Sequence, residues 1–549
     1  MTMKFEENTT SENINIFFDV LAEFNQFKLI ESDKNTVSFS YQDQYIFTCF
    51  IFDFDYNHNG VLPFIMVKNP ERDFPHFLIT DMTIAGQKYD YICLFETGQF
   101  IFHPYSYAEK LKLILKQLMK LLSLTEKQKE AEFQREFLYY WNRVANPKIS
   151  CHTFIDTNND FQLLNFYVKN SNYRIKSSTI KLNDSTNWKK QKRIVLYIPI
   201  INKSGILPPT QNSPWDSKTL LTILENQQVD KISRNSYKAL RELSIGKKNI
   251  DIIFSFDLED RKILFGCRIQ FVNAGVKKFF DKIYTDIESI VPIILIRTEF
   301  DYLNKSIGNT VSMEPVGIIG VGSLGSYVVE ELINSGVSNF VLIDDDIFVN
   351  ENTFRHRLGT LWSRTKKISA LKCEMELKHP QISIKSISKK VTAENVAEIV
   401  REENLKNLII TIGSTDQQIV LAKSLAKLTE PITVFHSWLE GDGKNSHTLV
   451  SKNNKTGCYN CLLKNDDGNF ISNRANATTE NDSQILRDGC GGTRVKYGNR
   501  TLLMATNGLI KAFEIVNQDN QSFMVSNHVD DGLTIEKHIK SLGCELCGK

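Results

Sequence analysis

The chain is poor in nearly every feature that would assign it to a special class. Its charges almost cancel: 66 Lys and Arg against 64 Asp and Glu leave a formal net charge of +2 over 549 residues. No strong field selects nucleic acid or an anionic membrane, and neither is expected as a direct partner. No apolar run reaches the roughly 18 residues that a membrane-spanning helix needs. The opening Met1-Thr2-Met3-Lys4-Phe5-Glu6-Glu7 lacks the apolar core of a secretory signal. There is no internal repeat and no long low-complexity tract. Hydrophobic residues at 42% against 24% charged exclude wholesale disorder. Cysteine is sparse, ten in the whole chain, which suits a reducing compartment and leads us to expect a cytoplasmic protein.

What is present suggests three parts. At about 150 residues per domain the length allows three or four. Residues 1–125 read as an α+β domain. It has an opening helix from Ile14 to Leu29, aromatic and β-branched strands over 37–56 and 61–68, and a helix over 107–123. An amphipathic helix over 126–144 leads into a middle α+β linker domain, 126–300, with strands at 194–200, 250–256 and 262–272 and no chemical motif. From 301 to 549 strands and helices alternate, the order of an α/β, doubly wound Rossmann-like sheet.

The chemistry concentrates in that last part. Gly320-x-Gly322-x-x-Gly325 stands between a predicted strand and a predicted helix, where a tight turn and a helix N-terminus receive phosphate. Alone it suits NAD as well as ATP. The next strand ends in Asp344-Asp345-Asp346, at the distance of an acid that binds a ribose hydroxyl. Asn352, Arg355, His356 and Lys367 follow. A hydride-transfer site has little use for an Arg and a Lys aimed at phosphates, whereas an adenylating site needs them as pyrophosphate leaves. Asp416, at a third strand end, is either a Mg²⁺ ligand or a helix N-cap.

Four of the ten cysteines form two Cys-x-x-Cys pairs, Cys458/Cys461 and Cys544/Cys547, separated by 82 residues. Two such pairs can close a tetrahedral thiolate site around Zn²⁺; a redox dithiol is the alternative. Cys490, in Arg487-Asp488-Gly489-Cys490-Gly491-Gly492-Thr493-Arg494, is flanked by glycines that admit a carbonyl. Arg487, Arg494 and Lys496 are cations that favour a thiolate, so it reads as a nucleophile or as an incidental loop cysteine. On its residues alone, Cys93 reads as a buried core cysteine.

The stretch GIIGVGSLGSYVVEELINSGVSNFVLIDDDIFVNENTFRH resembles the nucleotide-binding segment of ubiquitin-activating-like enzymes, whose superfamily includes the ThiF/MoeB-type adenylyltransferases. The resemblance covers about 300–549. It implies ATP and Mg²⁺, with Gly320, Gly322 and Gly325 lining the phosphate loop. Asp344, followed by Asp346 in an acid-x-acid pair, would hold the ribose, Asn352, Arg355 and Lys367 the phosphates, and Asp416 the Mg²⁺. His356 stands where many relatives have Gln. The family's paired cysteines imply a structural Zn²⁺ on Cys458, Cys461, Cys544 and Cys547, and Cys490 is placed like its crossover-loop cysteine. A homodimer is implied too, and Arg297 is a candidate to reach across it.

The N-terminal order of helix, strand meander, Cys93-Leu94, loop and long helix resembles a divergent ubiquitin-conjugating domain, although the His-Pro-Asn signature is absent and Pro75-His76 stand earlier. The whole chain therefore resembles bacterial conjugating–activating fusion enzymes of cyclic-oligonucleotide anti-phage systems. The activity implied is adenylation of a protein's C-terminus, a thioester on Cys490, relay to Cys93 and transfer to an amine acceptor. The implied protein partner is a cyclic-oligonucleotide synthase. The alternatives are a sulfur-carrier adenylyltransferase without conjugation, and an inactive scaffold that binds nucleotide and a protein tail.

Overall fold

The computed structural model describes residues 10–547 apart from 34–35, 54–62, 69–73, 85–86, 96–104, 158–159, 184–186, 211–212, 227–233, 274, 278–285, 453–456, 477–484, 489–491, 496, 519–520, 529 and 539–540. They fall into two compact units, one of residues 1–152, 156–177 and 190–296, the other of 153–155, 178–189 and 297–549. No helix among the described residues is long and apolar enough to cross a membrane.

The first unit holds two hydrophobic cores. In the earlier one, α1 (Thr10–Ala22) and α2 (Tyr107–Leu122) contribute apolar faces to the core of a six-stranded sheet. Its strands are β1 (Phe27–Ser32), β2 (Thr36–Tyr41), β3 (Tyr45–Asp53), β4 (Pro63–Lys68), β5 (Phe77–Ile84) and β6 (Gln87–Ile92), in the order β1-β2-β3-β4-β6-β5. Leu111, Ile114, Leu115, Leu118 and Leu121 form the buried stripe of α2, as their spacing predicts. Ser106 and Glu109 close a reciprocal cap at its start, worth about 1 kcal/mol. The opening helix is shorter than its apolar pattern suggests. Glu23 and Phe24 make tight i→i−3 bonds to Val20 and Leu21, and the chain then leaves as β1, with Phe27 paired to Tyr41.

The segment 126–144 is two helices, α3 (Glu126–Arg135) and α4 (Phe137–Val144), meeting at Glu136. The break lets Phe137, Tyr140 and Trp141 turn inward together. Phe137 and Trp141 enter the second core, with Trp215, Phe254 and Phe265. That core packs against a closed barrel of β7 (Asn146–Phe154), β8 (Gln162–Lys169), β9 (Asn172–Lys176), β10 (Lys189–Pro199), β11 (Asn249–Asp257), β12 (Lys262–Phe271) and β13 (Ile287–Arg297). The run over 250–256 is buried on both faces, one toward the aromatic core and one toward the barrel interior.

The second unit is built on an eight-stranded sheet. β14 (Val316–Ile319), β15 (Asn339–Ile343), β16 (Ser383–Ile387), β17 (Asn407–Ile410) and β18 (Thr433–Leu439) run parallel in the order β16-β15-β14-β17-β18. β19 (Asn445–Lys452), β22 (Phe523–His528) and β23 (Gly532–Lys537) extend it antiparallel, so the doubly wound pattern covers five strands of a mixed sheet. A short hairpin of β20 (Ile485–Asp488) and β21 (Gly492–Val495) stands outside it. Strand order reverses at β14, and the crevice of such a switch point opens at the carboxyl ends of the strands. Two pieces from earlier in the chain belong here. Thr153 donates to Glu299 at 3.0 Å, and the Asn183 amide donates to the Pro380 carbonyl at 2.8 Å.

Candidate active site

The glycine loop occupies that crevice. β14 is followed by Gly320, whose φ of +86° lies in the left-handed region. The helix Ser323–Asn334 begins directly after Gly322. A side chain on Gly325 would meet the Gly320 carbonyl at 2.0 Å and Thr411 Oγ1 at 2.7 Å, so the helix can approach the strand only with glycine there. A Cβ on Gly322 would meet nothing within 4 Å; its face is open, as an approaching phosphate requires.

Acidic and basic side chains close around the loop. Asp344 accepts the Val321 and Asp346 amides, both at 2.7 Å. Burial pushes its carboxyl above the usual range, while those amides and Lys367 pull it back. One oxygen from each of Asp344, Asp345 and Asp346 lies within 4.8 Å of the others, an all-oxygen set suited to a hard cation. Lys367 Nζ donates to Asp346 Oδ2 at 2.7 Å from the first position of the helix Lys367–Lys378. Asn352 Oδ1 accepts the Val349 amide at 3.3 Å at the start of the 3₁₀ turn Asn350–Arg355.

Two arginines lie close together in sequence and differ in what they touch. Arg357 donates to Glu331 at 2.8 Å and lies over the Tyr327 ring, a structural assignment. Arg355 has its Nε buried with no hydrogen-bond partner among the described residues. A buried guanidinium N–H without a partner fits a missing anion. Asp416 is exposed in the first turn of the helix Thr415–Leu425, and Ser414, not Asp416, caps that helix by accepting the Gln417 amide.

His356 has a definite job. Its Nδ1 accepts the Leu358 amide at 3.1 Å, so Nε2 carries the proton and donates to the Val321 carbonyl at 2.8 Å. Burial lowers its pKa to about 4, which keeps the ring neutral. It braces the glycine loop from behind. Arg297, expected to reach across a dimer, is folded onto its own unit, 3.1 Å from Glu299 and over the Tyr302 ring.

The two Cys-x-x-Cys pairs converge. Cys458, Cys461, Cys544 and Cys547 are all buried and unoxidised. Their sulfurs stand 3.8 Å (Cys458–Cys461), 3.6 Å (Cys458–Cys544), 3.7 Å (Cys458–Cys547) and 3.1 Å (Cys461–Cys547) apart. A tetrahedron with Zn–S bonds of about 2.3 Å has edges of about 3.8 Å. The donor set fits Zn²⁺. The fully buried Asn460 points its amide at Cys544 Sγ, the outer-shell N–H that orients a thiolate.

The two remaining cysteines of interest differ in visibility. Cys490 lies outside the described residues. Cys93 follows β6 and is half-buried, whereas Cys49, Cys151 and Cys267 are buried; burial pushes the Cys151 thiol up to about 12 and Cys267 up as well, which leaves both inert. The Cys93 amide donates to the His76 carbonyl at 3.0 Å. His76 is itself held at φ +66°, an uncommon conformation for a side-chain-bearing residue. Its amide donates to Tyr140 Oη at 2.9 Å, and its Nε2 lies 3.2 Å from Glu132. Burial raises the Tyr140 pKa, with the Cys93 charge a smaller contribution, so the phenol keeps its proton. Sequence reasoning missed Glu132 and Tyr140 because they sit in the helices assigned to the linker. The signal was the dense aromatic run Phe137-Leu138-Tyr139-Tyr140-Trp141, too rich for a solvated face.

Residues 309–510 match the model of the ThiF family. The chain carries a ThiF family domain. It includes the glycine loop, the acids, Arg355, Lys367 and the first cysteine pair; the second pair lies beyond it. The chain is 23% identical over 284 residues to a Pseudomonas aeruginosa protein named ATP-dependent ubiquitin transferase-like protein Cap2, covering 49% of this chain and 50% of that protein. A Vibrio cholerae protein of the same name is 27% identical over 168 residues, 29% of this chain and 27% of its own length. The aligned stretch thus spans about half the length of the first relative, or less. These likenesses bear out the family resemblance read from the sequence. Among solved structures, one of E. coli MccB with MccA is 17% identical with a TM-score of 0.32, covering 43% of this chain and 67% of that one.

Proposed function

We propose that this chain uses ATP to activate the C-terminal carboxylate of a protein and passes the acyl group through two cysteines to an amine. The observation that carries the ATP step is the open Gly322 face at the start of its helix, with Asp344 bonded to the same loop and Lys367 held on Asp346; the unpartnered Nε of Arg355, whose neighbour His356 bonds the Val321 carbonyl, adds to it. The carboxylate attacks the α-phosphorus and pyrophosphate leaves, giving an acyl-adenylate. Arg355, Lys367 and Asn352 bind the phosphates, and Asp344 accepts the ribose hydroxyl through the lone pairs its two amides leave. Mg²⁺, held by Asp416 or by the Asp344–Asp346 group, supplies neutralisation of the triphosphate charge. The four thiols hold a structural Zn²⁺.

The Cys490 thiolate then attacks the acyl carbon and AMP leaves. Cys93 attacks the resulting thioester and the Cys490 thiolate departs. An amine finally displaces Cys93, giving an amide and a proton. The half-buried Cys93, with its amide fixed by a left-handed His76 braced on Tyr140 and Glu132, supports the second carrier role. The names of the relatives support a ubiquitin-like transfer. The activated protein is a cyclic-oligonucleotide synthase in anti-phage defence, and the enzyme works as a cytoplasmic homodimer.

The test is intact mass of protein purified without reductant from cells that also express the synthase, comparing wild type, Cys490→Ala and Cys93→Ala. The relay requires a thiol-labile adduct, absent in Cys490→Ala and confined to Cys490 in Cys93→Ala. Pyrophosphate exchange without any adduct would leave only the adenylation step.

A further inference from the structure

The middle segment has carried no chemistry so far, yet its barrel has a built mouth. Between β8, β9, β10 and the turn before β11 lies a cavity of about 460 Å³, the size range of a small-molecule site. Five cations line it, Lys192, Arg193, Lys247, Lys248 and Arg268, and no carboxylate among the described residues does. We propose that this barrel mouth binds a small anion bearing phosphate, of the phosphate-ester or polyphosphate class.

The charge balance at its base argues for that occupant. Asp251 on β11 is only 1% exposed and sits opposite Arg268 of β12 in the ladder. Arg268 Nε and Nη2 donate to its two oxygens at 2.8 and 3.4 Å, and Arg193 Nε lies 3.3 Å from the second oxygen. Two guanidiniums share one carboxylate, so the cluster keeps a surplus positive charge where solvent access is restricted. Arg193 is fixed further by lying 4.5 Å over the centroid of Phe166, which lines the same mouth. Rigid guanidinium forks at the base suit the tetrahedral oxygens of phosphate.

The rim adds mobile charge without neutralising the base. Lys247 Nζ reaches the Lys192 carbonyl at 3.4 Å, a contact that leaves its charge uncompensated. Lys192 and Lys248 are exposed, and among the described residues neither pairs with an acid. Like charges gathered around one cavity repel, and a multiply charged anion relieves that repulsion. A monocarboxylate would neutralise the base alone; a phosphate ester or pyrophosphate reaches the rim as well.

The experiment uses the full chain carrying Lys367→Ala, which weakens phosphate binding in the adenylation crevice. Isothermal titration with inorganic pyrophosphate at low salt should show one site, weaker as salt rises. Adding Lys192→Glu and Lys248→Glu should lower that affinity at least about 10-fold. Both lysines are exposed, so the unfolding midpoint should not change, and circular dichroism checks this. AMP in place of pyrophosphate separates the sources: tighter binding of AMP assigns a nucleotide, weaker binding a free polyphosphate. No pyrophosphate binding, or binding that the two charge reversals leave intact, overturns the proposal.

Discussion

At the scale of single residues, glycine and histidine set the tolerance of the glycine loop. A methyl group at position 325 would overlap the Gly320 carbonyl most severely, and backbone cannot swing aside as the Thr411 hydroxyl could, so the loop must move. Gly325→Ala should reduce pyrophosphate exchange by about 100-fold, the usual scale for misplacing a positioned group. Gly322→Ala, which meets no atom of the protein, should act mainly on the KM for ATP. His356 gives a pH signature. Its ring takes a proton near pH 6.5 in the unfolded chain but only near about 4 in the folded one. Stability is complete above 6.5 and falls as pH drops through that window, by about 3 kcal/mol in all. Denaturant unfolding of wild type and His356→Gln between pH 7 and 4 should show a slope that the variant has lost. None of this was legible beforehand: the sequence supplied the histidine, but which carbonyl it braces depends on where the 3₁₀ turn Asn350–Arg355 delivers it.

At the scale of elements, what was legible followed local pattern. The glycine loop stands between a strand and a helix as expected, because an apolar strand, a glycine turn and a helix form a short-range pattern. The errors came where tertiary contacts overrode periodicity. The opening helix gave up Phe27–Leu29 to β1, since pairing with Tyr41 buries Phe27 in the sheet. The linker helix broke at Glu136 to bury Phe137 and Trp141. The barrel was invisible because closure depends on pairing between strands far apart in sequence. The cysteine pairs were legible as a site because spacing alone constrains it. Cys547→Ser should lower bound zinc from one equivalent to a small fraction, measured by elemental mass spectrometry. It should also drop the first unfolding midpoint, and a strong chelator should reproduce the drop in wild type.

At the scale of the whole molecule, sequence order and compact units disagree. The middle segment lends Thr153–Ile155 and Ser178–Lys189 to the unit that carries the ThiF domain. A fragment of residues 301–549 would lack Asn183 and with it the bonds to the Pro380 and Ile382 carbonyls, and it would lack the Thr153–Glu299 pair as well. It should keep pyrophosphate exchange but unfold several degrees below the corresponding transition of the full chain, in line with the loss of about 1 kcal/mol per bond. Supplying 153–189 as a separate peptide should not restore it, because a free peptide must give up its own translational entropy on docking. The four-thiol cluster has a different reach. It gathers both ends of the 82 residues that separate Cys461 from Cys544, and Cys490 is one of them. With a metal in place both ends of that stretch are anchored at one point of the unit, so whatever chemistry it carries meets the rest of the unit within a single chain. The proposed capture by Cys490 would then be intramolecular, with a rate the same in a crowded cell and in a dilute tube.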